Sequence, residues 1–268
     1  MFEINVESVP EFLRAILPTE PHFPEGHWIF RGQGDARWGL IPSIRRETPW
    51  EKIGELARLG LRAEGGVIVS SEAELKKPER ALLDILSRAV DRLGLPSELK
   101  EENALLAFAQ HIGLPTRLLD CTDSPMAAAY FAAADAVQMH GQGRLVVYAV
   151  STAYVQHSGR LDHVDSLRVP GYGNVNLVVQ NGVLLKINDG PYDLLHGLER
   201  RAIAAGAPLS DEDAAAIDGH LFAITLSWEN APALLRALRA QGVHAGTLFP
   251  GNAGVAELVR ETMRTEES

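Results

Sequence analysis

Two short segments of the chain place polar side chains that can bind a ligand among apolar residues. The first is Phe30-Arg-Gly-Gln33, in which an arginine ends an apolar run and a glycine follows it. A planar guanidinium can bind two phosphate oxygens at once, so Arg31 is a candidate phosphate ligand. Gly32 would allow another backbone or a ligand to approach closely. The structural alternative is that Arg31 forms an ion pair or donates hydrogen bonds to carbonyl groups.

The second segment, residues 110–125, ends at the start of a predicted helix. Its polar side chains include Gln110, His111, Arg117, Asp120 and Thr122. Alternation along a strand predicts that Asp120 points inward. There it either pairs with Arg31 or Arg117 to brace the fold, or it hydrogen-bonds a ligand together with Thr122. The anionic group of such a ligand would lie at the helix N-terminus near Ser124.

Other reactive side chains are weaker candidates for catalysis. Taken singly, His111 is expected to be a buried, hydrogen-bonded histidine rather than a catalytic base. Acidic neighbours raise a thiol pKa, so Cys121 is a poor nucleophile candidate. The nine histidines show no pair with metal-ligand spacing on an obvious helix face, and we expect no metal. Walker, zinc-protease and nucleophile-elbow motifs are absent from the sequence.

Local sequence patterns predict the elements that position the two segments. Residues 28–32 are predicted to form a strand that carries Arg31, and residues 116–120 a second strand. A helix follows the second strand, with Ser124 as its N-cap and proline at its first position. Asn181-Gly182 suits a hairpin turn within residues 176–187. Further helices are predicted at 8–17, 72–94, 101–112, 229–240 and 253–263, further strands at 145–150 and 221–226, and an irregular segment at 35–50.

Composition and charge describe an ordinary folded chain of 268 residues, with 46% hydrophobic and 22% charged residues. We predict one compact α+β domain over residues 1–268, because no internal repeat or linker-like segment divides it. The net charge of −10 gives no general attraction to nucleic acid or anionic lipid. A single cysteine excludes an internal disulfide, and the first residues lack the pattern of a signal peptide. No stretch has membrane-spanning length, so we expect a cytoplasmic protein without membrane contact.

Four ordered motifs resemble the FRG domain, a family named for its Phe/Tyr-Arg-Gly signature. The motifs are Phe30-Arg-Gly32, residues 110–125 continuing through Ala128 and Tyr130-Phe-Ala132, Gln180-x-Gly182, and Leu248-Phe-Pro250 with Gly254. The resemblance spans residues 25–260 approximately, with residues 49–112 as a helical subdomain or insertion. Cys121 stands where the family usually has tryptophan, and Ile112 where an aromatic residue is common. These departures imply that a stacking surface is missing.

The same residues are similar, more distantly, to the arginine class of NAD-dependent ADP-ribosyltransferases. This resemblance implies a split, mostly antiparallel sheet and NAD as the substrate. It implies that Arg31 holds the pyrophosphate and that Thr122 and Gln110 orient the nicotinamide ribose. Gly32, His111 and Arg117 would complete the nucleotide site. Where that class has a catalytic glutamate this chain has Gln180, and an amide cannot supply negative charge, so Asp120 is the alternative stabiliser of the ribosyl cation.

The expected function is therefore an NAD-handling enzyme. It would transfer ADP-ribose to a protein or nucleic-acid acceptor, or hydrolyse NAD, as a bacterial toxin or anti-phage effector. An antitoxin or regulatory protein is then an expected partner. The alternative is a non-catalytic nucleotide- or protein-binding module, which Gln180 favours. The net charge of −10 argues against a third hypothesis, a nuclease.

Overall fold

The computed structural model describes residues 1–52, 60–139, 141–152, 164–168, 175–188, 195, 201–208 and 221–266. The strands within these ranges are β1 (Phe2–Asn5), β2 (Trp28–Gln33), β3 (Ala63–Glu64), β4 (Val67–Ile68), β5 (Leu118–Thr122), β6 (Arg144–Ser151), β7 (Val164–Leu167), β8 (Gly182–Ile187), β9 (Arg201–Ala202) and β10 (Leu221–Ser227). The α-helices are α1 (Val9–Ala15), α2 (Glu47–Lys52), α3 (Glu72–Arg92), α4 (Glu102–His111), α5 (Pro125–Ala136), α6 (Val175–Val179), α7 (Ala231–Ala240), α8 (Ala245–Leu248) and α9 (Asn252–Glu266). Short 3-10 helices cover Ser43–Arg45, Ser97–Lys100 and Trp228–Asn230.

Eight of the described strands form one sheet in the order β7-β8-β5-β2-β6-β10-β1-β9. The pairings are antiparallel, except that β1 runs parallel to both of its neighbours. The predicted α+β class with a mostly antiparallel sheet is confirmed at this level. The remaining two strands, β3 and β4, form a separate short hairpin.

Among the described strands of the large sheet, β2 and β5 have the fewest paired residues. These strands share a single residue pair, Phe30 with Thr122, whereas β2 pairs with β6 over all six of its residues. On β5 the opposite edge is fully paired with β8. We call this narrow contact the β2–β5 junction, and it lies between the two segments that the sequence singles out.

Helix α5 covers β2 and β6 with an alanine-rich face. The helix begins as predicted, because the Ser124 side chain accepts a hydrogen bond from the Ala127 N–H and proline occupies the first turn. Small residues let it lie very close to β2. A Cβ on Gly32 would come within 1.8 Å of the Ala128 carbonyl oxygen. The close neighbour of Gly32 is therefore another part of the backbone.

Helix α4 covers the neighbouring half of the sheet. Its residues Leu106 and Ala107 join Leu118 of β5 and Leu184 of β8 in one buried cluster. Helix α3 packs against α4 through a second cluster that contains Leu86 and Leu105 among its members. The helices predicted at 72–94 and 101–112 are thus confirmed as α3 and α4.

The predicted hairpin at 176–187 is wrong. Residues Val175–Val179 form a short helix, and only Gly182–Ile187 form a strand. Asn181 has a φ of 48°, the left-handed conformation that often ends a helix. The Asn-Gly dipeptide thus joins a helix to a strand.

The segment 35–50 is more regular than predicted, since it contains the 3-10 helix Ser43–Arg45 and the start of α2. Strand β1 is also absent from the sequence-based prediction. Across the part of the chain described by the structure, every helix is too short or too polar to cross a membrane.

Candidate functional site

A cavity of about 340 Å³ opens at the β2–β5 junction. Strands β2, β5 and β8, helices α4, α5 and α6, and residues Gln180 and Phe249 line it. The structure brings seven of the eight predicted site residues to this cavity. They are Arg31, Gly32, Gln110, His111, Asp120, Thr122 and Gln180.

Arg31 bridges the two strands with its side chain. Its Nη1 donates to the Asp120 carbonyl oxygen at 2.6 Å, and its Nε donates to Gln33 Oε1 at 3.1 Å. The structural alternative for Arg31, a hydrogen bond to a carbonyl group, is therefore confirmed. It uses two of the five N–H donors of a guanidinium, and the described residues provide no hydrogen-bond acceptor for the other three. Arg31 is half-buried and lines the cavity, so these donors are placed to bind an anion.

Asp120 lines the cavity from β5. The expectation that it points into the core is wrong, because Asp120 is exposed while Leu118 and Leu119 are buried. Gln110 Nε2 donates to Asp120 Oδ2 at 2.8 Å. The contact with Arg31 is made by the Asp120 carbonyl rather than by its carboxylate.

The amide of Gln110 is held in one orientation. Its Oε1 accepts hydrogen bonds from the hydroxyls of Thr116 and Ser43, the latter at 3.4 Å. With the oxygen engaged by two donors, the NH₂ group must face Asp120. Gln110 therefore fixes the Asp120 carboxylate at the cavity wall.

Arg117 does not belong to the cavity. Its guanidinium pairs with Glu79 of α3, with Nε to Oε1 at 2.6 Å, and its Nη1 donates to the carbonyls of Ile187 and Asn188. Both charged side chains are nearly buried, at 12% and 8% exposure. Arg117 is thus a structural residue that ties α3 to the sheet. The prediction failed because the sequence gives no sign that Glu79 lies beside it.

Thr122 and Gln180 join the cavity to the C-terminal part of the fold. Thr122 Oγ1 donates to the Gln180 carbonyl at 2.6 Å and accepts from the Ser124 N–H. The side-chain Nε2 of Gln180 donates to the Leu248 carbonyl at 3.0 Å. Gln180 therefore connects strand β5 to the segment around Leu248, and its amide carries no charge. Of the two predicted stabilisers of positive charge, only Asp120 has a carboxylate.

His111 lies at the cavity wall and is exposed, so the expectation of a buried histidine is wrong. Cys121 is buried, as an unreactive thiol would be. Burial raises the pKa of the Cys121 thiol to about 12, and the nearby charge of Arg31 opposes this rise. The raised pKa agrees with the expectation that Cys121 is a poor nucleophile, but its main cause is burial rather than the acidic neighbours.

Two aromatic rings from the quoted motifs line the cavity, although sequence reasoning did not assign them to the site. Phe131 and Phe249 meet edge to face with ring centroids 6.0 Å apart. Phe249 can lie there because Gly254 has no side chain: a Cβ on Gly254 would fall 1.8 Å from the Phe249 carbonyl oxygen. The cavity therefore contains an apolar surface formed by aromatic rings. It does so although this chain has Cys121 and Ile112 at positions where the resembled family usually has aromatic residues.

Sequence reasoning also missed two charged groups, Asp135 and Arg46. Asp135 lines the cavity from α5. Burial lowers the pKa of Arg46, as does the charge of Arg31, whereas Asp120 and Asp135 raise it. The sequence could have indicated Asp135, because it is the one charged residue in the otherwise apolar helix α5. Arg46 falls in the segment predicted to be irregular, where no pattern distinguished it.

The described residues contain no group of three or more His, Cys, Asp or Glu side chains that could hold a metal ion.

Comparison with models of protein families gives a match to the FRG domain. No curated protein and no solved structure matches the chain. The matched family model covers the segment with Arg31, Gln110, Asp120 and Asp135, while Gln180 and Phe249 lie beyond it. The family resemblance predicted from the sequence is thus supported over this segment, because residues 26–140 match the FRG domain.

Proposed function

We propose that the chain binds NAD in the cavity at the β2–β5 junction and cleaves the bond between nicotinamide and ribose. One observation carries the proposal. Arg31 and Asp120, on two different strands, are held at one cavity by a 2.6 Å hydrogen bond, with further guanidinium donors and a carboxylate facing the same space. A dinucleotide offers the matching groups, an anionic pyrophosphate beside a ribose.

The reaction requires stabilisation of positive charge on the ribose. As the bond from C1′ to the nicotinamide nitrogen breaks, the electron pair leaves with nicotinamide. The acceptor or water then bonds to C1′ and loses a proton. A carboxylate fixed beside the ribose stabilises this developing charge. Asp120, oriented by Gln110, takes that role, and Arg31 holds the pyrophosphate.

The ring of nicotinamide needs an apolar surface. Phe131 and Phe249 provide one at the same cavity. The acceptor would be a protein or a nucleic acid, and water would make the reaction a hydrolysis. An antitoxin or regulatory protein remains a proposed partner.

A second candidate function is nucleotide binding without chemistry. Gln180 favours this function because its side chain carries no charge. In addition, its NH₂ group already donates a hydrogen bond to the Leu248 carbonyl. In this case Arg31 and Asp120 would bind the ligand, and the bond to nicotinamide would stay intact.

Proton NMR of NAD mixed with the protein, alone and with cell lysate, separates the two candidates. We expect free nicotinamide with the native chain. Arg31→Lys keeps the charge but loses the planar fork, and Asp120→Asn loses the charge. Each is expected to slow nicotinamide release by about 100-fold or more.

Matched controls are Arg80→Lys and Asp84→Asn, both exposed on α3, and they should behave as the native chain. Unchanged turnover in Asp120→Asn would refute the role of the carboxylate. Intact NAD with measurable binding by calorimetry would instead establish the binding module. Neither binding nor turnover by a folded protein would refute both.

A further inference from the structure

Asp135 is a second carboxylate at the same cavity. It lies in the last turn of α5 and lines the cavity. The negative end of the helix dipole makes this an unfavourable place for an acid. A carboxylate that borders a ligand-sized cavity in such a place is a candidate for ligand binding.

The fold makes room for Asp135 in a specific way. A Cβ on Gly34 would lie 2.6 Å from the Asp135 Cβ, so only glycine lets the end of β2 approach α5 here. The backbone N–H of Gly34 lowers the pKa of the Asp135 carboxyl, which places the end of β2 close to that side chain. The close approach of Gly34 therefore sets the distance between the end of β2 and the turn of α5 that carries Asp135.

The charges around Asp135 link it to Arg31. Burial raises the pKa of the Asp135 carboxyl, while Arg31, the Gly34 N–H and Arg46 lower it. Arg46 also interacts with Asp120. Asp120 and Asp135 therefore both line the cavity, and Arg31 interacts with both residues.

We propose that Asp135 binds the hydroxyl groups of the adenosine ribose and excludes dinucleotides that carry a phosphate there. This inference rests on the proposed function, in which Asp120 serves the nicotinamide ribose and Arg31 the pyrophosphate. A carboxylate accepts hydrogen bonds from two adjacent hydroxyls, as acidic residues do in dinucleotide folds. A 2′-phosphate at the same position would meet like charge.

Isothermal titration calorimetry with NAD, NADP and ADP-ribose tests the proposal through binding alone. The native chain is expected to bind NAD and ADP-ribose, with NADP at least about tenfold weaker. In Asp135→Asn the NAD affinity should fall about tenfold and the preference for NAD over NADP should shrink toward unity. Asp84→Asn on α3 is the matched control and should retain both values.

The outcomes separate the two proposals. Native affinity and native discrimination in folded Asp135→Asn would overturn the role of Asp135 and leave the NAD site standing. A native chain that binds none of the three ligands would overturn the proposed function and this inference together. Circular dichroism verifies folding, and Asp135→Ala provides a second variant in which the carboxylate is removed entirely.

Discussion

At the scale of single residues, Gln33 decides how Arg31 is presented. Gln33 is buried at 3% exposure, and its Nε2 donates to the Trp38 carbonyl at 3.1 Å. The Tyr148 hydroxyl donates to the same carbonyl, also at 3.1 Å. Because the Gln33 NH₂ group faces that carbonyl, its oxygen must face Arg31 Nε. Gln33 is therefore a positioning residue for the guanidinium.

Replacing Gln33 by methionine should weaken anion binding more than it disturbs the fold. Methionine has a similar shape but cannot accept the Arg31 hydrogen bond, which is worth about 1.5–3 kcal/mol for a charged group. We expect the affinity for ADP-ribose to fall by about tenfold or more in calorimetry. Gln33→Glu keeps an acceptor for Arg31 and should recover part of the affinity.

The matched control for this change is Gln138→Met, since Gln138 is exposed, lies just beyond α5 and donates to the carbonyl of Ala134 in that helix. Chemical denaturation of the same samples records the cost to stability. Equal affinity for ADP-ribose in Gln33→Met and the native chain would show that Arg31 does not depend on Gln33.

At the scale of elements, β2 and α5 make a very close backbone contact at the site. A Cβ atom built on Gly32 would lie 1.8 Å from the Ala128 carbonyl oxygen and 2.8 Å from the Ala132 nitrogen. Both atoms belong to the helix backbone, which cannot rotate away as a side chain can. Gly32 therefore sets the distance between the strand that carries Arg31 and the helix that carries Phe131 and Asp135.

Gly32→Ala is expected to destabilise the fold by about 3 kcal/mol, because the added methyl overpacks two backbones. Urea denaturation measures this change in unfolding free energy. Gly246→Ala is the matched control: it lies in a helix, and its nearest neighbours are atoms of the His244 ring at 3.2 Å. Helix propensity favours alanine there, so its effect should be near zero or stabilising. Equal stability of the two variants would contradict the backbone contact.

The sequence predicted elements better than it predicted contacts. The helix with Ser124 as its cap and the strand with Arg31 follow from local signals, and both were correct. The hairpin at 176–187 failed because Asn-Gly also suits the end of a helix. Arg117 was misplaced because its partner, Glu79, is 38 residues away. Such pairings are set by tertiary packing, which a single sequence does not display.

At the scale of the whole molecule, the cavity depends on regions outside the matched family segment. Residues 26–140 include β2, β5, α4 and α5. Strand β6, which pairs with all of β2, and strand β8, which pairs with all of β5, both lie beyond it. Gln180 and Phe249 also close the cavity from outside this segment. The site is therefore a product of the larger sheet.

A buried histidine connects distant parts of the chain on another side of the fold. His22 is fully buried, with its Nε2 3.0 Å from the Ala15 carbonyl and its Nδ1 accepting from the Gly206 N–H at 3.3 Å. Its ring also contacts Phe23 and Phe222, with centroids 4.6 and 5.7 Å away. These bonds require the neutral ring, with the proton on Nε2. A proton added to Nδ1 would face another donor.

This arrangement makes stability depend on pH near neutrality. Burial lowers the pKa of His22 below its ordinary value of 6.5, an effect larger than the opposing ones of the Ala15 carbonyl and Glu20. Between the lowered folded pKa and the unfolded value, the unfolded state binds the proton and the folded state does not. The contribution of His22 is therefore complete above pH 6.5 and is lost as the pH falls through and below this value.

The test compares the pH dependence of unfolding in the native chain and in His22→Gln. Glutamine can donate and accept as neutral histidine does, but it does not titrate. We expect the native chain to lose unfolding free energy between pH 7 and 5 more steeply than His22→Gln, by up to about 1.4 kcal/mol per pH unit, the limit for one proton. His111→Gln, at an exposed histidine, should keep the native slope. Parallel profiles for the native chain and His22→Gln would mean that His22 takes up its proton equally well in the folded and unfolded states.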